Sequence, residues 1–372
     1  MLSTRYHIRD TSGIITPALV VFREILEDNL DRMVRIARDP ARLRPHCKTH
    51  KMREVIELEL ARGITKHKAA TFAEAEMLAV AGAKDILLAY NLVGPNIARA
   101  VRFVEMFPGV SFAVTADHPR PVEQLSTAMY VAARSIDVLL DIDTGQHRTG
   151  LPVGRQAAEL YGLIATLPGL NPGGFHVYDG HNHQTDLAER TAAVEAGWQP
   201  VARFRDELEA SGLSVPRIVA GGTGSFPIYA AKDDPAIELS PGTCVFHDAG
   251  YGRAFPDLDF TPAALLLTRV ISRPTPDRIT LDMGYKAVSS DPPAGQRLVF
   301  PDLPDAEQIL QNEEHLVLKT PRAAEFAPGD ELFAIPRHIC PTSALHKEAY
   351  VVADGRVTGT WQVVARDRQL TL

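Results

Sequence analysis

The chain has 372 residues, 45% of them hydrophobic, and a formal net charge of −7, which leaves room for two domains and a sizeable core. Its Lys and Arg residues are dispersed, and an acidic balance repels a phosphate backbone, so nucleic acid is excluded as a partner. A local site for a small anionic ligand stays open.

The opening stretch, MLSTRYHIRDTSGIITPALVVF, has no basic segment followed by an apolar one, so no signal peptide is expected. No apolar run approaches the roughly 18 to 20 residues that cross a bilayer, which excludes a membrane partner of that kind. Cys47, Cys244 and Cys340 are odd in number and far apart, arguing against a disulfide framework and for the cytoplasm.

From Val20 to Val245, short apolar runs alternate with longer amphipathic stretches. FREILEDNLDRMVRIA repeats its apolar residues at helical spacing. ATFAEAEMLAVAGAKDILLAY reads as helix, glycine turn and strand, and IDVLLDID, GGFHVYDG and PRIVAGG read as further strands. Strands alternating with helices imply a parallel sheet. The expectation is a (β/α)8 barrel over residues 17–250, with a doubly wound open sheet as runner-up. Beyond about Phe255 the runs become short and alternating, punctuated by Gly, Pro and Asp. That texture predicts an antiparallel β domain over 251–372, joined by residues 1–16.

Four stretches carry chemistry. RPHCKTHK (44–51) sets Lys48 among basic neighbours at an expected strand end, where parallel α/β folds collect ligand-binding groups. Cationic neighbours disfavour an ammonium and so supply the free amine that a Schiff base needs; the bland alternative is a solvated basic loop. IVAGGTGSF (218–226) runs from a strand into a glycine-rich turn whose N–H groups, with the hydroxyls of Thr223 and Ser225, suit a phosphate. Lysine and turn together point to pyridoxal phosphate.

HVYDGHNH holds His176, Tyr178, Asp179, His181 and His183. Tyr178 suits stacking on a flat cofactor and His181 suits acid/base work, with His183 left open. PRHICPT places His338 and Cys340 two residues apart, on one face if the stretch is a strand, as half of a divalent-metal site. A buried structural His and Cys is the plain alternative.

In this order the stretches resemble the D-threonine aldolase / D-serine dehydratase branch of the fold-type III, alanine racemase-like pyridoxal-phosphate enzymes, over nearly the whole chain. The resemblance implies Lys48 as the cofactor's attachment point and, in DIDTGQHRTG, Arg148 beside its phenolic oxygen. GGTGS and ELSPGTCVF resemble the phosphate-binding turn and the segment after it, implicating Gly222, Thr223, Gly224, Ser225, Gly242 and Thr243. LDMGYKAVSSD and NEEHLVL resemble segments of the branch's β domain, and PRHICPT its metal site, so His338 and Cys340 are implied as ligands of Zn, Mn or Mg.

The implied activity is a metal-assisted lyase reaction on D-3-hydroxy amino acids. The YDGH form, with His181 as base at the β-hydroxyl, favours retro-aldol cleavage to glycine and an aldehyde. Cys340 at the metal motif instead fits a dehydratase acting on D-serine or D-3-hydroxyaspartate. An amino-acid racemase would share the barrel and Lys48 without needing the metal site, and a non-catalytic carrier would lack the β domain. The resemblance also implies a homodimer.

Overall fold

The structure, a computed structural model, describes residues 5–372. Strand β1 (Ala18–Phe22) pairs with C-terminal strands introduced below. Helix α1 (Arg23–Ala37) follows it. Leu26, Leu30, Met33 and Ala37 recur on one face of α1 and are buried, as its periodicity predicts.

One compact unit comprises Val34–Lys48, Arg53–Gly242 and Asp367–Leu372. After α2 (Arg53–Leu60) it alternates strand and helix: β2 (Lys66–Ala69), α3 (Phe72–Val80), β3 (Asp85–Asn91), α4 (Pro95–Met106), β4 (Ser111–Ala116) and α5 (Pro119–Val131). The series continues with β5 (Ile136–Ile142), α6 (Arg155–Thr166), β6 (Leu170–Val177), α7 (Leu187–Ala210), β7 (Ile218–Ala220), α8 (Phe226–Ala230) and β8 (Ile237–Leu239). Local chemistry marks the boundaries. Thr71 caps α3 by accepting from the backbone N–H of Glu74 at 3.1 Å, and Pro follows the cap of α4 and α5.

Strands β2 to β8 form a parallel sheet in sequence order. Among the described residues it has seven strands, which corrects the expected eight. Where an eighth would lie, residues 43–46 make only isolated bridges, Leu43 with Leu239 and His46 with Lys68. Arg44 and His46 donate to Leu239 and Pro241, while Pro45 accepts from Lys68, each at 2.8 Å. Proline has no N–H to give, so this stretch cannot continue a regular ladder.

Alternation along the strands sorts the inner face into layers. At the strands' N-terminal ends Arg44 bonds Glu238 at 2.5 Å and Asp85 at 2.8 Å, and Lys66 bonds Glu238 at 2.8 Å. Leu87, Ala113, Leu139 and Val219 make the apolar middle. Lys68, Thr115, Asp141 and His176 come last, toward the C-terminal ends. In β6 the register against β5 shifts between Val138 and Leu140, and Gly174 sits there at φ +93° with its Cα against the Arg217 carbonyl. A Cβ has no room there. Gly174→Ala is expected to destabilise the protein by about 3 kcal/mol in urea unfolding, since overpacking and left-handed strain add.

The second unit comprises the chain up to Met33, Thr49–Met52 and Thr243–Arg366. It contains α9 (Ala249–Ala254), β9 (Ala264–Thr275), β10 (Arg278–Leu281), β11 (Leu298–Val299), β12 (Glu307–Gln311) and β13 (Leu316–Lys319). β14 (Glu331–Pro336), α10 (Ile339–Leu345), β15 (Glu348–Ala353) and β16 (Arg356–Gln362) complete it. Its sheet runs β12-β13-β10-β9-β1-β15-β16, with β14 joining β9 to β11. Pairing is antiparallel except between β1 and β15. Chain order alone puts Val20 with the barrel strands; pairing puts β1 here, where Tyr6, Phe22, Leu265 and Leu267 share a buried cluster. No helix among the described residues is long and apolar enough to cross a membrane.

Candidate active site

A cavity of about 410 Å³ opens toward the C-terminal ends of the parallel strands, lined among others by His46, Lys48, Lys68, Asp141, Arg148 and Tyr178. Lys48 enters from a short 3-10 turn, Cys47–Thr49, that directly follows the irregular stretch 43–46. Its Nζ lies 5.9 Å from the centre of the Tyr178 ring. The Arg148 guanidinium carbon lies 4.9 Å from the same centre. Lys68 Nζ is a third cation, also at 5.9 Å.

Arg148 is carried by a loop that Asp143 organises, its Oδ1 accepting from the N–H groups of Gly145 and His147 at 2.9 and 3.0 Å. Asp141 and His176 face each other through Oδ1 and Nδ1 at 2.7 Å. Burial works to raise the Asp141 carboxyl, but the bonded His176 ring outweighs it and holds it below the usual carboxylate range. Burial likewise lowers the His176 pKa against the pull of Asp141. The pair therefore reads as a carboxylate accepting from a neutral imidazole, with Nε2 as the ring's acceptor.

Gly145 lies at φ +128°, and a Cβ there would come within 3.0 Å of His181 Nε2. His181 thus packs on the Arg148 loop instead of lining the cavity, and its Nδ1 is buried without a hydrogen-bond partner. His183 is exposed. In the glycine turn Ser225 Oγ accepts from the Gly222 N–H at 3.1 Å and donates to Asp179 at 2.7 Å. That hydroxyl braces the turn. Thr223 Oγ1 accepts from the Gly242 N–H at 3.2 Å, linking the turn to the segment after β8. A Cβ on Gly222 would meet Tyr178 Cε2 at 3.0 Å, so its lack of a side chain is what lets turn and ring approach. Gly224 lies in the same turn.

In the other unit, the metal motif does not lie on a strand. β14 stops at Pro336, His338 occupies the N-cap position of α10 without a side-chain capping bond, and Cys340 sits in its first turn. Asp248 sets this geometry by capping two helices, accepting from Tyr251 at 2.8 Å and from Ile339 at 3.0 Å; its burial raises its pKa to about 6. His338 Nδ1 meets Asp291 Oδ2 at 2.5 Å. Burial works to lower the His338 pKa, but the Cys340 thiol and Asp291 outweigh it and raise it to about 9. Cys340 Sγ lies 3.1 Å from the hydroxyl of Thr49, the residue after Lys48, and 3.5 Å from that of Thr243. Thr243 was implied as a cofactor contact; its hydroxyl meets the thiol.

An imidazole braced by a carboxylate beside a thiol suits a divalent ion. A second group with metal-ligand chemistry, His46, Cys47 and Glu74, lies buried with its ligand atoms within 4.8 Å. Glu74 accepts there from the Ala70 N–H at 2.6 Å and from Cys47 at 3.8 Å.

Lys68, Asp141 and Asp291 were not singled out from sequence. Lys68 carried one usable signal: KHKA at period two puts Lys66 and Lys68 on one face.

A parallel β/α sheet whose strand ends gather an amine, a guanidinium and a tyrosine ring, in a chain with a mostly antiparallel second sheet, defines the alanine racemase-like class. Residues 23–249 match the family described as "Alanine racemase, N-terminal domain", and residues 263–352 the one described as "Putative serine dehydratase domain". The chain belongs to the first of these families and, within it, to the D-threonine aldolase / D-serine dehydratase branch. It is 33% identical to a D-threonine aldolase of Arthrobacter sp., covering 94% of this chain and 92% of the relative. It is similar in structure to D-threonine aldolase from Filomicrobium marinum, with a TM-score of 0.86, 28% identity and 95% of each chain covered. D-threo-3-hydroxyaspartate dehydratase from Delftia sp. HT23 matches with a TM-score of 0.82 and 25% identity, covering 94% of this chain and 97% of that one.

Proposed function

We propose that the chain is a pyridoxal-phosphate- and divalent-metal-dependent lyase that cleaves D-3-hydroxy amino acids, D-threonine among them, to glycine and an aldehyde. The observation that carries it is the convergence of the Lys48 amine and the Arg148 guanidinium on the Tyr178 ring in one cavity. The relatives named D-threonine aldolase support the substrate class.

The residues present fit the cofactor. Lys48 offers a primary amine to an aldehyde, Tyr178 a flat ring and Arg148 a cation for an oxyanion, all in the cavity lining, and Gly222 puts no side chain against the Tyr178 ring. Pyridoxal phosphate bound there supplies an electron sink for charge at the substrate's α-carbon. His338 and Cys340, with Asp291 orienting the ring, are the groups that would hold a divalent ion, whose chemistry is Lewis acidity toward the β-hydroxyl. Asp141 keeps His176 in one tautomer, and Asp143 holds the loop that presents Arg148. His181 packs on the Arg148 loop outside the cavity lining, so its role as base at the β-hydroxyl rests on the aldolase-like form of YDGH. In this reading residues 43–46 stand in the place of an eighth barrel strand, the working form is a homodimer, and three cysteines with no disulfide among them fit the cytoplasm.

Cys340 favours one other reading, a dehydratase giving a keto acid and ammonia, as does the likeness to the Delftia enzyme. Mass spectrometry of products from D-threonine and D-serine, incubated separately with cofactor and divalent metal, decides between them. Glycine with acetaldehyde from D-threonine is expected. Keto acid with ammonia would transfer the assignment to the dehydratase.

A further inference from the structure

Lys68 is the pocket's unexplained group. It is 3% exposed, lines the cavity beside Lys48 and Arg148, and has no ion-pair or hydrogen-bond partner for its amine among the described residues. Lys66, two residues earlier on the same strand face, shows the contrast: it is neutralised by Glu238 at 2.8 Å. Around Lys68 the charge inventory does not balance. The cavity is lined by Lys48, Lys68 and Arg148 against one carboxylate, Asp141, which is already bonded to His176 at 2.7 Å. A buried ammonium without a counter-ion is costly, and such groups are retained where a bound ligand supplies the missing charge.

We propose that Lys68 is a binding residue of the active site that receives an oxyanion of the bound ligand, either the substrate's α-carboxylate or an anionic oxygen of the cofactor. The proposal rests on the functional reading above and deepens it: the enzyme carries two amines in one pocket, Lys48 for attachment and Lys68 for charge. Burial, then the neighbouring Lys48 and Arg44, lower the Lys68 pKa to about 7, with Asp141 opposing and Arg148 adding to the decrease. An amine so placed gains its proton when an anion arrives.

Holoenzymes carrying Lys68→Met and Lys68→Arg test this by three readouts. Binding of glycine and of methylamine is followed through the cofactor's visible absorbance. If the oxyanion is the substrate carboxylate, Lys68→Met weakens glycine by at least about tenfold and leaves methylamine within about twofold, while Lys68→Arg restores part of the loss. If it belongs to the cofactor, both amines weaken together and the pH midpoint of the absorbance moves by about one unit or more. Unchanged glycine affinity together with an unchanged midpoint would overturn the proposal.

The third readout needs no cofactor and so separates failure of this proposal from failure of the functional reading. With a folded pKa of about 7 against 10.5 unfolded, the folded chain binds fewer protons across that window, and Lys68 therefore costs stability most at and below pH 7, less as pH rises. Lys68→Met is expected to raise the melting temperature of the cofactor-free full chain, more at pH 6 than at pH 10. A fall would mark Lys68 as a packing residue and sink the idea.

Discussion

Lys48→Ala removes the protein-bound cofactor absorbance and lowers turnover by at least about 10³-fold, because the covalent attachment that activates the cofactor is gone. The substitution leaves the fold in place. Lys48 is half-buried, and its turn is held by neighbours that do not change: Leu43 bridges Leu239, His46 donates to Pro241 at 2.8 Å, and Lys68 donates to Pro45 at 2.8 Å. Circular dichroism should match the wild type. The spectrum discriminates sharply because a second amine, Lys68 Nζ, stands at the same 5.9 Å from the Tyr178 ring. A chromophore retained in Lys48→Ala but lost on adding Lys68→Met would move the attachment to Lys68. One retained in both would rule out a lysine-held cofactor in this pocket.

Replacing His338 and Cys340 together by alanine is expected to leave the cofactor absorbance unchanged while removing bound metal and turnover. The cost to the fold is small. The His338–Asp291 pair has side chains 39% and 54% exposed, and exposed ion pairs contribute about 1 kcal/mol or less. The start of α10 is held by Asp248, which the substitutions do not touch. Elemental analysis should find a divalent ion in the wild type and none in the double variant, with chelation of the wild type reproducing the loss and added metal reversing it. Activity that survives both the substitutions and the chelator would show that no metal at this site takes part.

Much of the chemistry was legible because it is local. RPHCKTHK, GGTGS and PRHICPT concentrate amines, glycines, imidazole and thiol over a few residues, and residue type with short spacing is enough to name candidate roles. The alternation of strands and helices from β2 to β8 was legible for the same reason. The roles of individual members were less so: Ser225 looks like a phosphate donor in GGTGS, yet its hydroxyl turns inward to Asp179 at 2.7 Å. H-x-C looked like two positions on a strand, yet Pro336 ends β14 and Asp248 starts a helix there.

What spacing along the chain determined by itself was the repertoire: a parallel β/α portion, a second β portion, and the lysine, histidine and thiol proposed to carry the chemistry, with Arg148 entering only through the family resemblance. Only the tertiary structure decided the partnerships. Asp141 meets His176 across β5 and β6, Asp291 meets His338 across 47 positions, and β1 leaves the barrel strands to pair with β9 and β15. Lys66 and Lys68 look alike in sequence, but the curved sheet sets one against Glu238 and the other into the cavity. The reason is physical: a period of two or 3.6 states which face a side chain occupies, whereas its counter-charge is set by which distant strand the sheet brings alongside.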